Sequence, residues 1–464
     1  MKTYKPKPVI GPISGFTNFS EAQHYAYAQW LARIAHAFQL YGFTPLIPRP
    51  VELRDNLHFK GGIGKQIYSL SRLDEAGTLA ADGRPSVVGT DIGLPFDRTV
   101  PLAIWVAQYA NEMTLPYKRY DIGWVFRGET AQAGRFRGFH QADVDIIGRQ
   151  LDLSADVECL LAIAQALATL EVGSFAFHVN HIAIAKTLLK NAGVTAEQEA
   201  EVLRIIDKLE KIGATKVMHE LQGAASQLTP DAVERLMQVF TFRGATPALR
   251  PVLEASGFAD DVVLRGCQQL CEVETLLSAA GKSDLKLVVN PGLVRGLDYY
   301  TGVVVETFIE GNEQAGSIAS GGRYSNLVGG FSGRHDDIEG VGFSIGVTRL
   351  FDLLCRAQAV PLERKTTAQV VIAYRPEVQS VAVQVAMHLR AQGVNVDVYA
   401  NPTKQMKHQL EYAAKKGVPY ALMLMNAEGS ARVDEFVLKN MTTREQVGWS
   451  TLEACKQECK NHLS

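Results

Sequence analysis

Long apolar runs are missing from this 464-residue chain. The longest, Leu160 to Leu170, is interrupted by Gln165 and falls far short of the ~20 residues a bilayer crossing takes, so no membrane span is expected. The opening, Met1-Lys2-Thr3-Tyr4-Lys5-Pro6, lacks the apolar stretch of a targeting segment. Surplus charge is missing too: 47 Lys plus Arg stand against 49 Asp plus Glu, a formal net of -2, and no global field draws in a polyanion. Any nucleic-acid contact has to be local. Cysteine is sparse, six residues at 159, 267, 271, 355, 455 and 459, and neither Cys-x3-Cys pair has the second Cys or His pair that zinc-ligand spacing needs. Each pair reads as one face of a helix, with reduced thiols in a cytoplasmic setting and no resident metal.

What is present is the balance of an ordinary globular protein, 47% hydrophobic and 21% charged, in a chain long enough for two or three domains. Tyr25, Trp30, Leu31, Ile34 and Phe38 recur at helical spacing after Ser20, and Gly42 ends that helix. Prolines 45, 48 and 50 make the next stretch irregular or an edge. From Tyr117 the period becomes two, with Tyr120, Ile122, Trp124 and Phe126 on one face, and a second alternating run starts at Phe139. The linker Gly128 to Gly138 makes this a hairpin with a long loop, and long loops inside compact domains are usually functional. Residues from about 182 to 285 read as helical, with a capping box at Thr195 and Gln198 and a cap at Thr229 followed by Pro230. Strand-like runs and dense glycine return from Leu287 to Gly346, so the first domain is split around a helical insert. After Pro361-Leu362-Glu363-Arg364-Lys365 comes a small α/β module with a parallel sheet: Val370 to Tyr374, a helix from about Glu377 to Gln392, and Val394 to Tyr399.

Three segments carry chemistry. In the second hairpin strand Phe139, Gln141, Asp143 and Asp145 share one face, which for an isolated strand would be a solvated face. The loop beside it supplies Arg127, Arg135 and Arg137 around Gly134, guanidinium groups suited to bidentate phosphate contacts. Together they fit a cleft for a cationic small molecule beside a phosphate. Leu293 to Gly302 brings Arg295, Asp298, Tyr299 and Tyr300 close together, although such a Tyr-Tyr pair is more often strand packing. The glycine-rich runs Gly321-Gly322-Arg323-Tyr324 and Gly340 to Leu350 allow close backbone approach of a flat ligand, with Arg349 at the start of a helix. Gly61-Gly62-Ile63-Gly64-Lys65 looks like a phosphate loop, but Gln66 replaces Ser or Thr and the glycine spacing is wrong, so it reads as a turn.

Arg127-Gly128-Glu129 with Gly134 to Gln141 resembles motif 2 of the histidyl-tRNA synthetases, a class II aminoacyl-tRNA synthetase family, and Gly340 to Leu350 resembles their motif 3. Leu293 to Gly302 closely matches the family's histidine signature, and Gly321 to Leu327 its second one. The helix from Ser20, with Pro50 and Glu52, resembles motif 1, which builds the family's dimer interface. Lys404 to Leu410 and Leu438-Lys439-Asn440 resemble its anticodon-binding domain. The resemblance implies an α+β catalytic domain with a mainly antiparallel, six-stranded sheet flanked by helices. That domain would span residues 1–365, interrupted by the insert at about 185–285, with an α/β anticodon-binding domain at 366–464.

It also implies an activity and a site. L-histidine is activated with ATP and magnesium, then passed to histidine tRNA, by a cytoplasmic homodimer. ATP is expected at Arg127, Glu129, Arg135 and Arg349, with Arg127 on the α-phosphate, Arg135 near the terminal phosphates and Arg349 at the far end. Arg295 is expected at the reacting carboxylate and α-phosphate, and Arg295 and Arg127 are the catalytic pair. Histidine is expected at Asp97, on its α-amino group, and at Thr99, Gln141, Asp145, Arg295, Tyr299 and Tyr300, with Asp145 and Tyr300 toward the imidazole. Gln132 would meet the acceptor end of the tRNA.

Departures from the family pattern lie outside the most specific signatures. Ser14-Gly15-Phe16-Thr17-Asn18 lacks the usual basic residue and Arg-Asp pair, Pro95 stands for an arginine, Gly138 for a longer polar residue, and Ser71 to Thr90 is long for a turn. Two rivals remain: a synthetase-like histidine sensor without catalysis, and a class II synthetase for proline, threonine or glycine. The C-terminal module argues against the first, and the intact Arg295 to Tyr300 segment against both.

Overall fold

The structure is a computed structural model that describes residues 11–58, 66–70, 91–131, 134–225, 227–294, 300–325, 329, 331 and 338–463. The chain forms two compact units, one of Met1–Thr17 with Leu31–Arg356, the other of Asn18–Trp30 with Ala357–Ser464. The Gly61 to Lys65 turn and the long Ser71 to Thr90 stretch lie outside the described residues. Among the described residues no helix is long and apolar enough to cross a membrane.

The first unit is built on a sheet. Its strands, in chain order, are β1 (Thr44–Pro45), β2 (Glu52–Leu53), β3 (Ile92–Gly93), β4 (Tyr117–Phe126), β5 (Gly138–Arg149), β6 (Phe175–His181), β7 (Lys286–Val289), β8 (Tyr300–Ile309), β9 (Ala319–Tyr324) and β10 (Ile338–Ile345). Eight of them form one sheet in the order β1-β4-β5-β10-β9-β8-β6-β7, while β2 and β3 pair separately. The central six are antiparallel throughout. Two edge strands are added parallel to their neighbours, β1 to β4 and β7 to β6. The proline-rich stretch thus supplies an edge strand of two residues, where a missing N–H costs least.

One face of this sheet is sealed. The helix Leu153–Thr169 is capped by Asp152, whose side chain accepts from Ser154 N at 2.9 Å. Its small residues Ala155, Cys159, Ala162 and Ala166 are buried, and the Cys159 thiol lies 3.7 Å from Val341 O of β10, so the helix comes close to the strands. Arg323 of β9 points to that same side. It binds the buried Asp156 carboxylate, Glu339 at 2.8 Å, and the carbonyl oxygens of Leu151 and Asp152. Burial pushes the Asp156 carboxyl up and the guanidinium opposes that shift.

Helices fill the region between β6 and β7, from Ile182–Asn191 to Asp261–Ala279. The expected caps are there: Gln198 Oε1 accepts from Thr195 N at 3.2 Å, and Thr229 Oγ1 accepts from Ala232 N at 3.2 Å with Pro230 in the first turn. The long helix Glu21–Leu40 has its own capping box, Ser20 N donating to Gln23 Oε1 at 2.9 Å and Gln23 N to Ser20 Oγ at 3.3 Å.

The second unit has β11 (Val370–Ala373), β12 (Val396–Val398), β13 (Tyr420–Met425), β14 (Glu435–Asn440) and β15 (Gln446–Trp449) in the order β12-β11-β13-β14-β15. The expected parallel sheet extends only over β12, β11 and β13; β14 and β15 fold back antiparallel. Buried Gln409 accepts from Tyr374 N at 3.0 Å and donates to the carbonyls of Tyr374 and Lys404 at 2.9 and 3.0 Å. That pins the start of helix Met406–Lys416 to the end of β11.

The Arg323 cluster generates a stability prediction. Arg323→Met strands the fully buried Asp156 side chain without its cation and should destabilise the first unit by about 3–5 kcal/mol. Urea unfolding measures this, and a loss under about 1 kcal/mol would show that the pair behaves like a solvated one.

Candidate functional site

Strand register lines up polar residues on the face opposite the Leu153–Thr169 helix. Asp121 of β4 pairs with Asp143 of β5, Asp143 with Ser344 of β10, Ser344 with Ser320 of β9, and Ser320 with Glu306 of β8. A second row, one pleat along, runs Arg119, Asp145, Gly342, Gly322, Val304. The Asp143 and Asp145 side is therefore not a solvated face: both residues are buried, at 5% and 3% exposure.

Glycines make room for these groups. A Cβ on Gly342 would stand 2.1 Å from Asp145 Oδ1, and one on Gly340 would stand 2.4 Å from the Tyr324 ring. A Cβ on Gly123 would meet the Arg98 guanidinium at 2.8 Å. At each position a side chain would displace a polar group of the site. The glycine density of β10 is a steric requirement of its neighbours.

Two guanidiniums compensate the acids. Arg119, with no exposed surface, places Nη2 at 2.7 Å from Asp145 Oδ2 and Nη1 at 3.5 Å from Asp121 Oδ2. Arg98 holds the same Asp121 oxygen through Nε at 2.6 Å and Nη2 at 2.5 Å. Asp145 Oδ1 accepts from the Tyr324 hydroxyl at 2.9 Å. Burial opposes the charge on Arg119, yet Asp145, Asp143 and Asp121 outweigh it and raise that guanidinium above its ordinary value. Burial drives the Asp143 carboxyl up to about 7 against the pull of Arg119, with Asp145 adding to the rise. Burial likewise lowers His140, on the other face of β5, to about 4, and Arg98 adds to that shift.

Beside the polar rows lies a cavity of about 340 Å³. Its wall includes Arg127, Glu129, Arg135, Gln141, Glu306 and Arg349, so the hairpin loop and the helix Val347–Arg356 deliver three guanidiniums to one place. Arg127 is set between the Phe96 and Phe139 rings, 4.6 and 5.2 Å from their centroids, and its Nε donates to Phe96 O at 3.2 Å. Arg135 is half exposed, 3.9 Å from Glu129. Arg349 bonds the carbonyl of Ala315, and Gly316, at φ 79°, leaves space for its guanidinium. Gln141 donates to Ser344 Oγ at 2.7 Å, while its buried Oε1 has no hydrogen-bond partner among the described residues and is a ready acceptor at the wall.

The other expected residues are placed as follows. Asp145 lies on the same sheet face as Gln141 but outside the cavity wall. Tyr300 opens β8 opposite Tyr324. Asp97 accepts from Val100 N at 3.0 Å and so caps the helix Thr99–Tyr109, whose first residue is Thr99. Arg295, Tyr299 and Gln132 lie outside the described residues. Arg98, Arg119 and Asp121 join the site without having been expected there. The signal for Arg119 and Asp121 is the polar half of the β4 alternation, whereas Arg98, just before the helix Thr99–Tyr109, has no such pattern. Phe16 fills the space at Gly138: its backbone bridges Gly138, and its ring would lie 2.5 Å from a Cβ there.

Comparison with known proteins gives the arrangement its context. The profile described as histidyl-tRNA synthetase matches residues 15–350, and one described as anticodon binding domain matches residues 363–457. A histidine–tRNA ligase of Stenotrophomonas maltophilia is 34% identical over 86% of this chain and 87% of its own. One of Xanthomonas campestris is 33% identical over 98% of both. The crystal structure of histidyl-tRNA synthetase from a Nostoc species superposes with a TM-score of 0.82 at 30% identity, covering 98% of this chain and all of that one. With a sheet of the expected antiparallel core, the arginine-lined cavity and a family profile over most of its length, this chain belongs to the histidyl-tRNA synthetase family.

Proposed function

We propose that the chain is a histidine–tRNA ligase that activates L-histidine with ATP and transfers it to histidine tRNA. The observation that carries the site assignment is the cavity where Arg127, Arg135 and Arg349 surround a polar sheet face containing Gln141. Three cations suit a triphosphate, and a buried acceptor with neighbouring carboxylates suits an ammonium and an imidazole.

In the first step a histidine carboxylate oxygen attacks the α-phosphorus, and the bond to the β-phosphate oxygen breaks with release of pyrophosphate. Arg127, held by two rings and a carbonyl, is preorganised to meet charge growing on the α-phosphate oxygens. Arg295 takes the same role at the reacting carboxylate. Half-exposed Arg135 can reach the terminal phosphates, and Arg349 the far end of the nucleotide. Histidine is held by Asp97 at the ammonium, by Asp145 and Tyr300 toward the ring, and by Thr99, Gln141 and Tyr299. In the second step a terminal hydroxyl of the tRNA attacks the acyl carbon and AMP leaves, with Gln132 beside the acceptor end.

Magnesium enters with the nucleotide. Among the described residues no group of three His, Cys, Asp or Glu could hold an ion alone. Glu129 and Glu306 are on the cavity wall, which fits an ion bound mainly by phosphates and water with one or two carboxylates. Residues 1–365, interrupted at about 185–285, form the catalytic part, and 366–464 the anticodon-binding part. The setting is the cytoplasm. The assembly is a homodimer, a reading supported by Leu40, Ile47 and Leu53, large apolar side chains exposed at 64%, 81% and 49% around the motif 1 segment.

Three outcomes are expected. Purified protein with magnesium should exchange pyrophosphate into ATP with histidine and with none of the other common amino acids; no exchange with any of them would favour a non-catalytic histidine sensor. Arg295→Ala should slow that exchange by about 10²–10³-fold while histidine binding stays measurable by calorimetry, and near-normal exchange would remove Arg295 from the mechanism. Sedimentation equilibrium should give twice the 50.7 kDa chain mass, and a stable monomer would contradict the dimer.

A further inference from the structure

Arg119 needs an explanation that packing does not give. Among the described residues it is the largest fully buried side chain, and replacing a buried ionic cluster by apolar residues of similar volume is often neutral or stabilising. Its position is set by partners on four elements. Asp121 shares its strand, Asp145 and Asp143 lie across on β5, the Tyr324 hydroxyl reaches Asp145 from β9, and Arg98 closes the group from the start of helix Thr99–Tyr109. Behind the sheet the Cys159 thiol is a further titratable neighbour of Asp145, held protonated by burial, and the Tyr300 phenol opens β8 opposite Tyr324.

Two features give this cluster a direction. Asp145 has one oxygen on Arg119 Nη2 and the other on Tyr324, so its carboxylate plane is held from both sides, and Gly342 leaves the space it occupies. The same Nη2 donates to Arg98 O at 3.3 Å, the carbonyl directly after Asp97, while the Arg98 side chain is anchored on Asp121. One guanidinium therefore touches the carboxylate assigned to the imidazole and the turn assigned to the α-ammonium.

We propose that Arg119 is a positioning residue for histidine recognition, fixing Asp145 as an oriented, ionised acceptor and setting its separation from the Asp97 turn. The proposal rests on the reading that Asp145 meets the imidazole. Without Arg119, Asp121, Asp143 and Asp145 face each other with Arg98 as the one cation left in the group among the described residues. Like charges at this distance raise one another's affinity for protons, so the carboxylates would protonate at higher pH. A protonated Asp145 no longer accepts from an imidazole N–H, and kcat/KM for histidine then falls on the acid side. The titration of free histidine is common to all variants and cancels in the comparison.

The test is histidine-dependent pyrophosphate exchange from about pH 6 to about pH 9, with KM for histidine and for ATP measured separately on Arg119→Met, Arg119→Lys, Asp145→Asn and the double variant Arg119→Met with Asp145→Asn. Asp145→Asn should raise the histidine KM roughly tenfold to a hundredfold. Arg119→Met should raise it on the same scale, leave the ATP KM within about twofold, and move the acid limb up by about a pH unit or more. The double variant should be no worse than the poorer single one. Arg119→Lys keeps the charge but not the two-pronged geometry, so the acid limb should stay in place while the histidine KM still rises. If Arg119→Met fails to fold, that Lys result decides: an unchanged histidine KM overturns the proposal. Equal rises in both KM values, or an unmoved acid limb in Arg119→Met, also overturn it and leave Arg119 a structural residue. A normal histidine KM in Asp145→Asn removes the imidazole reading itself, whatever the Arg119 variants do.

Discussion

Charge on the inside of a β-sheet is the constraint that organises the first unit. Arg119, Arg98, Asp121, Asp143 and Asp145 all lie at or below 5% exposure, on strands and a helix start that have no water to turn to. An isolated buried ion in such a place costs several kcal/mol, so each group has to find its partner within the sheet. Register supplies the partners. Because Arg119 lies opposite Asp145 and Asp121 opposite Asp143, a slip of one residue between β4 and β5 would turn the pair on the slipped strand to the helix-covered face and part it from its partners. The polar pairs specify alignment as strictly as an apolar face would, and the glycines of β9 and β10 follow from them.

The two faces divide the work. On one, Arg323 and the small residues of helix Leu153–Thr169 make a closed layer that keeps the strands from shifting. On the other, the rows of polar groups end at the cavity, where cations are carried by the hairpin loop and by the start of helix Val347–Arg356. Gln141 and Asp145, proposed for histidine, are thus on a strand, and Asp97 and Thr99 are at a helix start. The cations proposed for the triphosphate are on or beside the hairpin loop and at a helix start, with Arg127 held against two rings. This fits a reaction in which one substrate must be selected among close analogues and the other has to be neutralised and bent.

Much of this was legible from residue spacing. The period-two runs gave β4 and β5, the Thr195 and Thr229 caps marked helices in the insert, and the prolines after Phe43 marked an edge. Arg127, Arg135 and Arg137 around Gly134 suggested a phosphate site, of which Arg127 and Arg135 line the cavity while Arg137 bonds the Glu129 carbonyl, and the signatures named the family. What spacing could not show was depth. The alternation of Gln141, Asp143 and Asp145 is the same for a wet face and for a buried one, and only the cations of another strand decide between them. Arg119 and Asp121 sat in plain view on the polar half of β4, but their meaning depends on a register fixed across 22 or more residues of chain. The parallel edge strands beyond the six-stranded core, and the antiparallel turn of β14 and β15, are likewise long-range choices with no local signal.

The departures from the family pattern are easier to understand as one change than as two. Gly138 lacks the long polar side chain expected there, and Ser14 to Asn18 lacks the expected charged residues. In the structure these segments meet, with Gly15 accepting from Arg137 N at 2.7 Å and the Phe16 ring occupying the space beside Gly138. An aromatic ring thus packs against a bare backbone at the base of the hairpin loop. That base is held without a charged pair between the two segments, and Arg137 holds the loop from within, through Nε to Glu129 O at 2.9 Å. The same loop carries Glu129 and Arg135 to the cavity wall, so a ring, a backbone bond and one bond to a carbonyl lie beneath residues of the candidate site.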